Sequence, residues 1–509
     1  MTVTLSTQGL AAADVVAIAR HDEPLALSDE ARTAIAATSS VVDRILDRGE
    51  SVYGVTTGFG ALANTPIPPD RSAELQVALL RSHAAGMGPP VEREVVRAMM
   101  ALRARSLSMG YSGVRAVVVE RMVAVLNAGL TPLVPEHGSL GASGDLAPLA
   151  HCALCLIGEG SVIDDSGREI PAAGALDEAG IEALTLRPKE GLALINGTDG
   201  MLGMLVLALD DLRRLATVAD LAAAATVEAL LGTDRVFAAD LQALRPQLGQ
   251  ADSAANLRSI LADSAIVASH RRNDDRVQDA YSLRCSPAVH GSFRDVVTHA
   301  ELIAGRELMA AIDNPMILPD GRVESCGNFH GAPLAHTADS LSLVVADIGA
   351  LAERRTDRLL DPTRSNGLPP FLANDPGIDS GMMLGHYTQA AMVAENRRLA
   401  TPASVDTIAT SAMQEDHVSM GWGASRKLRM MIANLERILT IELVCACRAI
   451  ELREPEPAAG TAAAIGALRS GVEGLGPDRW LGPELTAAAQ RVADGSIVAA
   501  VEDAVGPLR

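Results

Sequence analysis

Long stretches with a helical spacing of apolar residues are the feature that most restricts the fold of this chain. Apolar side chains recur every three or four residues over 198–231, 341–360 and 428–452, and over 91–126 with one interruption at 110–113. This spacing predicts long helices, with two helices and a turn in the last stretch. Hydrophobic residues make up 48% of the chain, but aromatic residues only 2%. A core of Ala, Leu, Val, Ile and Met suits close helix packing, so we predict a mainly α protein with a long-helix bundle.

The chain has no sharp domain boundary. Loops and shorter helices dominate before residue 198, and most long helical stretches follow it. We therefore predict a smaller mixed N-terminal region, 1–198, and a long-helix bundle with C-terminal helices, 199–509. The Ala- and Gly-rich stretch 455–474 is predicted to be a loose connection to a C-terminal helix, 484–492. Residues 161–171, with an Asp-Asp-Ser-Gly sequence in the middle, are the best candidate for a β-hairpin.

Charge and cysteine content restrict the partners. Lys and Arg number 43 against 63 Asp and Glu, and the resulting net charge of −20 repels nucleic acid and anionic membranes. The N-terminus shows no signal-peptide pattern, and the apolar run 201–209 is much shorter than a membrane span of about 20 residues. Six cysteines without disulfide spacing fit a reducing cytoplasm. We expect Cys152 and Cys155 to be buried thiols, with no metal site.

The segment 138–151 carries the strongest sign of chemistry. Its sequence, Gly-Ser-Leu-Gly-Ala-Ser-Gly-Asp-Leu-Ala-Pro-Leu-Ala-His, contains Ala142-Ser143-Gly144. Small residues at both ends of this triplet allow the amide nitrogen of Gly144 to approach the carbonyl carbon of Ala142, and the Ser143 hydroxyl can leave as water. Cyclisation and dehydration would give a methylidene-imidazolone, which is an electron-poor alkene. The same residues also fit a turn before a helix that is capped near Asp145.

Other segments contain residues that suit an amino-acid site, and each also has an ordinary structural interpretation. Arg284, in Val-Gln-Asp-Ala-Tyr-Ser-Leu-Arg-Cys, could bind a carboxylate through two parallel charged hydrogen bonds or form a surface ion pair. Tyr53 lies in Val-Tyr-Gly-Val-Thr-Thr-Gly-Phe-Gly, which is typical of a flexible loop. Asn196 precedes a glycine, as turn residues do. Phe329 lies in a glycine-flanked loop, where a core residue is unusual.

Together these segments resemble the histidine, phenylalanine and tyrosine ammonia-lyase family over nearly the whole chain. Residues 138–151 match its cofactor-forming segment, and the motifs Tyr-Gly-x-x-Thr-Gly-Phe-Gly and Gln-Asp-x-Tyr-Ser-Leu-Arg are present. Ala280 replaces the proline of many relatives, which puts the stiffness of that loop in question. The resemblance implies a helical ammonia-lyase/fumarase-like fold and a homotetramer with shared active sites. It also implies 4-methylidene-imidazol-5-one formed autocatalytically from Ala142-Ser143-Gly144, without an external cofactor.

The resemblance also implies roles for individual residues. Tyr53 is the leading general-base candidate, and Arg284 would bind the substrate carboxylate. The positions implied in catalysis are Tyr53, Ala142, Ser143, Gly144 and Tyr281, with Asp145 supporting maturation. The positions implied in substrate binding are His83, Asn196, Gln278, Arg284, Phe329 and Glu415.

Two places favour L-histidine as the substrate. Ser82-His83 matches the form found in family members that act on histidine, whereas tyrosine and phenylalanine lyases carry His-Leu or Phe-Leu there. A buried Glu415 could pair with an imidazolium or accept its ring N–H, whereas a phenyl ring would leave this charge uncompensated. The implied reaction is the non-oxidative elimination of ammonia from L-histidine, giving trans-urocanate, the first step of histidine degradation.

Other functions stay open at this point. A tyrosine or phenylalanine lyase or aminomutase of the same family is the main alternative, and an inactive helical scaffold is a remote one. A serine hydrolase with Ser143 as its nucleophile would lack the Gly-x-Ser-x-Gly elbow. The sequence also leaves open whether the substrate amine or its ring attacks the electrophile.

Overall fold

The structure is a computed structural model that describes residues 2–509 except residues 59, 63, 165, 273 and 275. Phe59 of the glycine-rich loop and Asp165 of the hairpin turn therefore lie outside the described residues. The helices are α1 (Ala12–His21), α2 (Asp29–Arg48), α3 (Ser72–His83), α4 (Arg93–Ser108), α5 (Ala116–Asn127), α6 (Leu146–Leu156), α7 (Ala172–Glu178), α8 (Glu190–Ile195), α9 (Asp199–Ala229), α10 (Ala239–Ala243), α11 (Leu248–Ile260), α12 (Ala265–Ser269), α13 (Tyr281–Arg284), α14 (Ser286–Leu308), α15 (Ala332–Leu360), α16 (Met383–Leu399), α17 (Gly421–Glu451), α18 (Ala459–Arg469), α19 (Leu481–Ala493) and α20 (Ser496–Val505).

The strands are short and form four small sheets within the described residues. β1 and β2 are parallel, with Val3 opposite Leu25, and the other pairs are antiparallel. In the three-stranded sheet, β6 lies between β4 and β7. The strands are β1 (Val3–Leu5), β2 (Leu25–Leu27), β3 (Met87–Pro90), β4 (Thr131–Pro132), β5 (Pro135–His137), β6 (Ser161–Ile163), β7 (Glu169–Pro171), β8 (Met316–Ile317) and β9 (Val323–Glu324).

The predicted long helices are confirmed. α9, α15 and α17 cover the three stretches with helical spacing, although α15 and α17 begin earlier than the apolar pattern indicated. α4 and α5 are separated by a turn in which Gly110 and Gly113 have φ of 78° and 72°. β6 and β7 form the predicted hairpin.

The prediction of a loose connection over 455–474 is wrong, because α18 occupies most of it. Alanine has the highest helix propensity, so an Ala-rich stretch forms a helix wherever it finds a packing partner. Gly460 allows α18 to pack against such a partner. A Cβ at this position would lie 2.8 Å from the Ile260 carbonyl oxygen of α11, so glycine allows the two backbones to approach. The predicted C-terminal helix follows as α19.

The chain forms two compact units, each assembled from several segments. The first unit comprises Met1–Ala208, Glu301–Asp339 and Pro402–Arg426, and it includes all the described strands. The second unit comprises Leu209–Ala300, Ser340–Thr401 and Lys427–Arg509. Each unit joins three segments that are distant from one another in the sequence. The units therefore do not test the predicted domain boundary at residue 198, which stays a prediction.

In the first unit, α4 is almost entirely buried, and α1, α2, α5 and α6 pack around it. The buried side chains of α4 include the arginines Arg97, Arg103 and Arg105. A guanidinium is costly to bury unless carbonyl or carboxylate oxygens accept its hydrogen bonds. Arg97 donates to the carbonyls of Ile18 and Leu126 at 3.1 and 3.0 Å. These bonds tie neighbouring helices to α4.

The second unit contains a buried ionic network. Asp220 accepts hydrogen bonds from His290 at 2.8 Å and from Arg294 at 2.6 Å. The Arg355 guanidinium donates two hydrogen bonds to the Glu442 carboxylate, at 2.5 and 2.9 Å. Such networks fix one helix arrangement because each charge needs its partner.

Two helical stretches are apolar and long enough to cross a membrane by composition alone. These are Glu190–Ala229, whose apolar window is 100% buried in the protein, and Ala332–Leu360, whose window is 56% buried. Core helices of globular proteins pass the same test, so these helices are weak evidence for a membrane span.

Cys152 and Cys155 lie on α6 and are buried thiols, as predicted. Burial raises the pKa of both thiols, that of Cys155 to about 12, so neither presents a thiolate. Among the described residues, no group of three or more His, Cys, Asp or Glu side chains could hold a metal ion.

Candidate active site

The loop between β5 and α6 turns sharply at the Ala-Ser-Gly triplet. Gly141, Ser143 and Gly144 have φ of 78°, 51° and 79°, in the left-handed region. Serine rarely adopts this conformation, and it costs roughly 1–2 kcal/mol relative to the right-handed one. The surrounding structure must therefore hold the loop in this turn.

One such constraint is the contact between Gly144 and Gly197. The backbone N–H of Asp145 donates to the Gly197 carbonyl oxygen at 2.7 Å. A Cβ built on Gly144 would overlap this same carbonyl, far inside van der Waals contact. Position 144 therefore requires glycine for space as well as for its positive φ.

Asp145 precedes α6, as the sequence suggested, but its side chain does not cap that helix. Its carboxylate instead accepts hydrogen bonds from the Met201 backbone N–H at 2.9 Å, from the Gly200 N–H, and from the Ser139 hydroxyl at 3.1 Å. These two amides belong to the first turn of α9, where helix N–H groups lack internal partners. Complete burial raises the pKa of Asp145 to about 7, although the hydrogen bonds oppose this rise.

A cavity of about 940 Å³ opens beside the triplet, entirely within the first unit. The structure brings together here most of the residues that the sequence predicts for a site. Those that line the cavity are Tyr53, His83, Ala142, Ser143, Asn196, Phe329 and Glu415.

Tyr53 lies in a turn-rich segment whose shape depends on small residues and threonines. Gly54 has φ of 69°, and the Thr56 hydroxyl donates to the Glu50 carbonyl at 2.7 Å. The Tyr53 hydroxyl accepts a hydrogen bond from the Gly60 N–H at 3.3 Å. This contact holds the phenol at the wall of the cavity.

His83 is the last residue of α3, and Glu415 lies on another segment, where it forms a β-bridge with Thr410. The Nδ1 of His83 is 3.1 Å from the Ser82 hydroxyl. Burial lowers the pKa of His83, and the charge of Glu415 acts in the opposite direction. Thr410 Oγ1 donates to Glu415 Oε2 at 2.9 Å and holds the carboxylate in place. The expectation that Glu415 is buried is wrong, because it is half-buried at the edge of an open cavity.

Asn196 is 2% exposed and has its orientation fixed by neighbours that sequence reasoning missed. Its Nδ2 donates to the Asn314 carbonyl at 2.9 Å and to Asp313 Oδ1 at 3.4 Å. Asp313 in turn pairs with Lys189 at 2.7 Å, and both side chains are fully buried. Because both neighbours of Nδ2 are acceptors, the reversed amide would place oxygen against oxygen.

Two further histidines line the cavity beside Phe329. The rings of His330 and His417 are stacked, with centroids 5.6 Å apart and planes 3° apart, and His330 Nε2 lies 3.3 Å from the His417 carbonyl oxygen. No local sequence signal indicated this pair, because the two residues lie on separate segments.

Gln278, Tyr281 and Arg284 lie in the second unit and do not line this cavity. The Arg284 guanidinium lies 4.6 Å from the centre of the Tyr281 ring, and its Nε donates to the Asp279 carbonyl at 3.0 Å. Tyr281 is 72% exposed. Ala280 has φ of −60°, which lies within the range that proline imposes, so a proline would fit the φ of this position.

Comparison with known proteins identifies the family. Residues 10–470 match the model of the aromatic amino acid lyase family. The chain belongs to this family. This aromatic amino acid lyase is 58% identical to histidine ammonia-lyase of Streptomyces avermitilis, over 100% of its own length and 99% of that relative's. It is also 48% identical to histidine ammonia-lyase of Symbiobacterium thermophilum, over 97% of both chains.

Solved structures of family members share the fold. A crystal structure of histidine ammonia-lyase from Trypanosoma cruzi matches with a TM-score of 0.91 and 38% identity, over 99% of this chain and 96% of that one. Tyrosine aminomutase from Streptomyces globisporus matches with a TM-score of 0.94 and 35% identity, over 100% of both chains. The predicted helical ammonia-lyase/fumarase-like fold is confirmed.

Two glycines with the same backbone conformation separate the effects of strain and space in this lyase. Gly144 and Gly167 both have φ of 79°, but a Cβ on Gly167 would meet nothing within 4 Å. In a Ser143→Ala background, which blocks ring formation, Gly144→Ala should lower the unfolding free energy by at least about 1–3 kcal/mol more than Gly167→Ala, because of overpacking. Denaturant titration measures both losses, and equal losses would contradict the contact with Gly197.

The buried carboxyl of Asp145 predicts a pH dependence of stability. Its folded pKa of about 7 lies above its ordinary value of 3.8, so the folded protein binds a proton that the unfolded chain releases. Stability from this group is present below pH 4 and is lost as pH rises towards 7, at up to about 1.4 kcal/mol per pH unit. In the Ser143→Ala background, Asp145→Asn should remove this decline. Parallel stability curves with and without Asp145→Asn between pH 5 and pH 7 would refute the shift.

Proposed function

We propose that this protein is a histidine ammonia-lyase, which eliminates ammonia from L-histidine and gives trans-urocanate. The observation that supports the proposal is a single cavity whose lining includes Ala142, Ser143, His83 and Glu415. Full-length identity to histidine ammonia-lyases supports histidine over tyrosine or phenylalanine. The unpaired state of all six cysteines supports a cytoplasmic location.

We infer that the triplet matures into 4-methylidene-imidazol-5-one, with no external cofactor. A bond forms between the Gly144 nitrogen and the Ala142 carbonyl carbon, and two waters leave with the Ala142 carbonyl oxygen and the Ser143 hydroxyl oxygen. This group suits the left-handed turn, the close contact with the Gly197 backbone and the small size of Ala142 and Gly144. Asp145, with a pKa of about 7, can accept and return a proton during the dehydration. The group supplies an electron-poor alkene.

Residues of the chain perform the remaining tasks. Tyr53 acts as the general base that removes the proton from the substrate β-carbon, and its contact with Gly60 keeps the phenol at the cavity wall. His83 and Glu415 recognise the substrate imidazole, because a carboxylate accepts a ring N–H and stabilises a charged ring. Asn196 binds the substrate next to the triplet, and Phe329 packs against its ring.

We propose that Gln278, Tyr281 and Arg284 complete the site in a homotetramer. In this assembly each site draws residues from more than one subunit. The exposure of Tyr281 and its absence from the cavity lining of the first unit support this proposal. Arg284 would bind the substrate carboxylate, because its planar guanidinium forms two parallel hydrogen bonds to a carboxylate.

A direct assay tests the reaction together with the cofactor. Purified protein should raise the ultraviolet absorbance of an L-histidine solution as urocanate forms, and its intact mass should be lower than the sequence mass by two waters. Ser143→Ala should abolish turnover and leave the helical circular dichroism unchanged, because the alkene loses its precursor. Formation of cinnamate or coumarate without urocanate, or turnover that survives in Ser143→Ala, would refute the proposal.

A change of one carboxylate tests substrate recognition. Glu415→Gln should lower kcat/KM for histidine roughly ten- to hundredfold, the value of a hydrogen bond to a charged group, and should lower any turnover of phenylalanine much less. Asp416→Asn is the matched control, since this neighbouring carboxylate also lines the cavity but is more exposed. Equal losses for histidine and phenylalanine would remove Glu415 from imidazole recognition.

A further inference from the structure

A buried ion pair encloses the residue against which Gly144 packs. Any Cβ on Gly197 would overlap the Arg103 guanidinium and the Asp199 carboxylate. The ion pair therefore packs directly against Gly197. The Gly197 carbonyl in turn packs against Gly144 and accepts a hydrogen bond from the Asp145 N–H. Neither charged residue lines the cavity.

Arg103 binds three points of the backbone and side chains around Gly197. Its Nη1 donates to the Asn196 carbonyl at 2.9 Å and to Asp199 Oδ2 at 3.1 Å. Its Nη2 donates to the Ile312 carbonyl at 2.7 Å. Arg103 is 0% exposed and Asp199 1%. One guanidinium thus fixes the chain on both sides of Gly197 and ties it to a distant segment.

Desolvation makes such a pair a poor source of stability. Replacing a buried ion pair with well-packed apolar residues is often neutral or stabilising, so a buried pair is better explained by the geometry it imposes. The geometry imposed here is the position of the Gly197 carbonyl.

We propose that the Arg103–Asp199 pair is a positioning device for ring closure in the Ala142-Ser143-Gly144 triplet. It holds the Gly197 carbonyl rigidly, and this carbonyl keeps the backbone after Gly144 bent towards Ala142. The inference rests on the proposed maturation of the triplet. Neither Arg103 nor Asp199 contacts the reacting atoms, so both are positioning residues. Ring closure is sensitive to such support, because a misplacement of about 1 Å can slow a reaction on the order of a hundredfold.

A matched pair of variants tests the proposal by mass rather than by activity. Arg103→Met removes the charged group from behind Gly197. Arg97→Met is the control, because Arg97 lies on the same helix, is 1% exposed and binds the Ile18 and Leu126 carbonyls instead. The fraction of chains that lack two waters is followed by intact-mass measurement after a pulse of synthesis. Wild type and Arg97→Met should mature at similar rates, and Arg103→Met at least roughly tenfold more slowly.

The outcomes separate this inference from the proposed function. A wild-type mass that never falls by two waters would refute the maturation itself. Normal wild-type maturation with equal rates in Arg103→Met and Arg97→Met would overturn only the positioning role. If Arg103→Met lacks helical circular dichroism, the nearly isosteric Asp199→Asn replaces it. Slowed maturation of folded Asp199→Asn supports the proposal, and maturation at the wild-type rate overturns it.

Discussion

The approach of Gly144 to the Gly197 carbonyl is the constraint on which the rest of the candidate site depends. It brings the start of α6 against the start of α9, so both helix ends are fixed relative to the triplet. The unpaired amides at the start of α9 then bind Asp145, whose carboxyl is buried as a result. A loop with costly backbone angles can persist because the helices around it are rigid.

Sequence reasoning predicted elements whose signals are local. The apolar spacing that indicated α9, α15 and α17 repeats within each helix, so no tertiary information was needed. The prediction for 455–474 was wrong because alanine and glycine allow both a loop and a helix, and packing against α11 decides between them. The cap at Asp145 failed for the same reason, since its true partner, Met201, is 56 residues away.

The same contrast between local signals and tertiary contacts explains which residues of the candidate site were predicted. The motifs around Tyr53, Ser143 and Asn196 identified residues that the structure gathers at one cavity. The pairs Arg103–Asp199 and Lys189–Asp313 were missed, because a charged residue carries no local sign that it will be buried. A charged residue that will be buried cannot be told from a solvated one in the sequence, because its partner lies far away along the chain.

The segments around the loop are also separated in time during synthesis. The indole N–H of Trp422 donates to the carbonyl of Glu136, 286 residues earlier, and the Ser411 hydroxyl accepts from the N–H of Ala61, 350 residues earlier. On the ribosome, residues 138–145 emerge long before these partners exist, and long-range contacts of this kind form late. The contacts of the triplet with Gly197 join residues that are made close together in time, whereas Trp422 and Ser411 are made much later. The walls of the cavity are therefore completed late in synthesis, and the proposed ring closure would take place beside a cavity whose last segments have just been made.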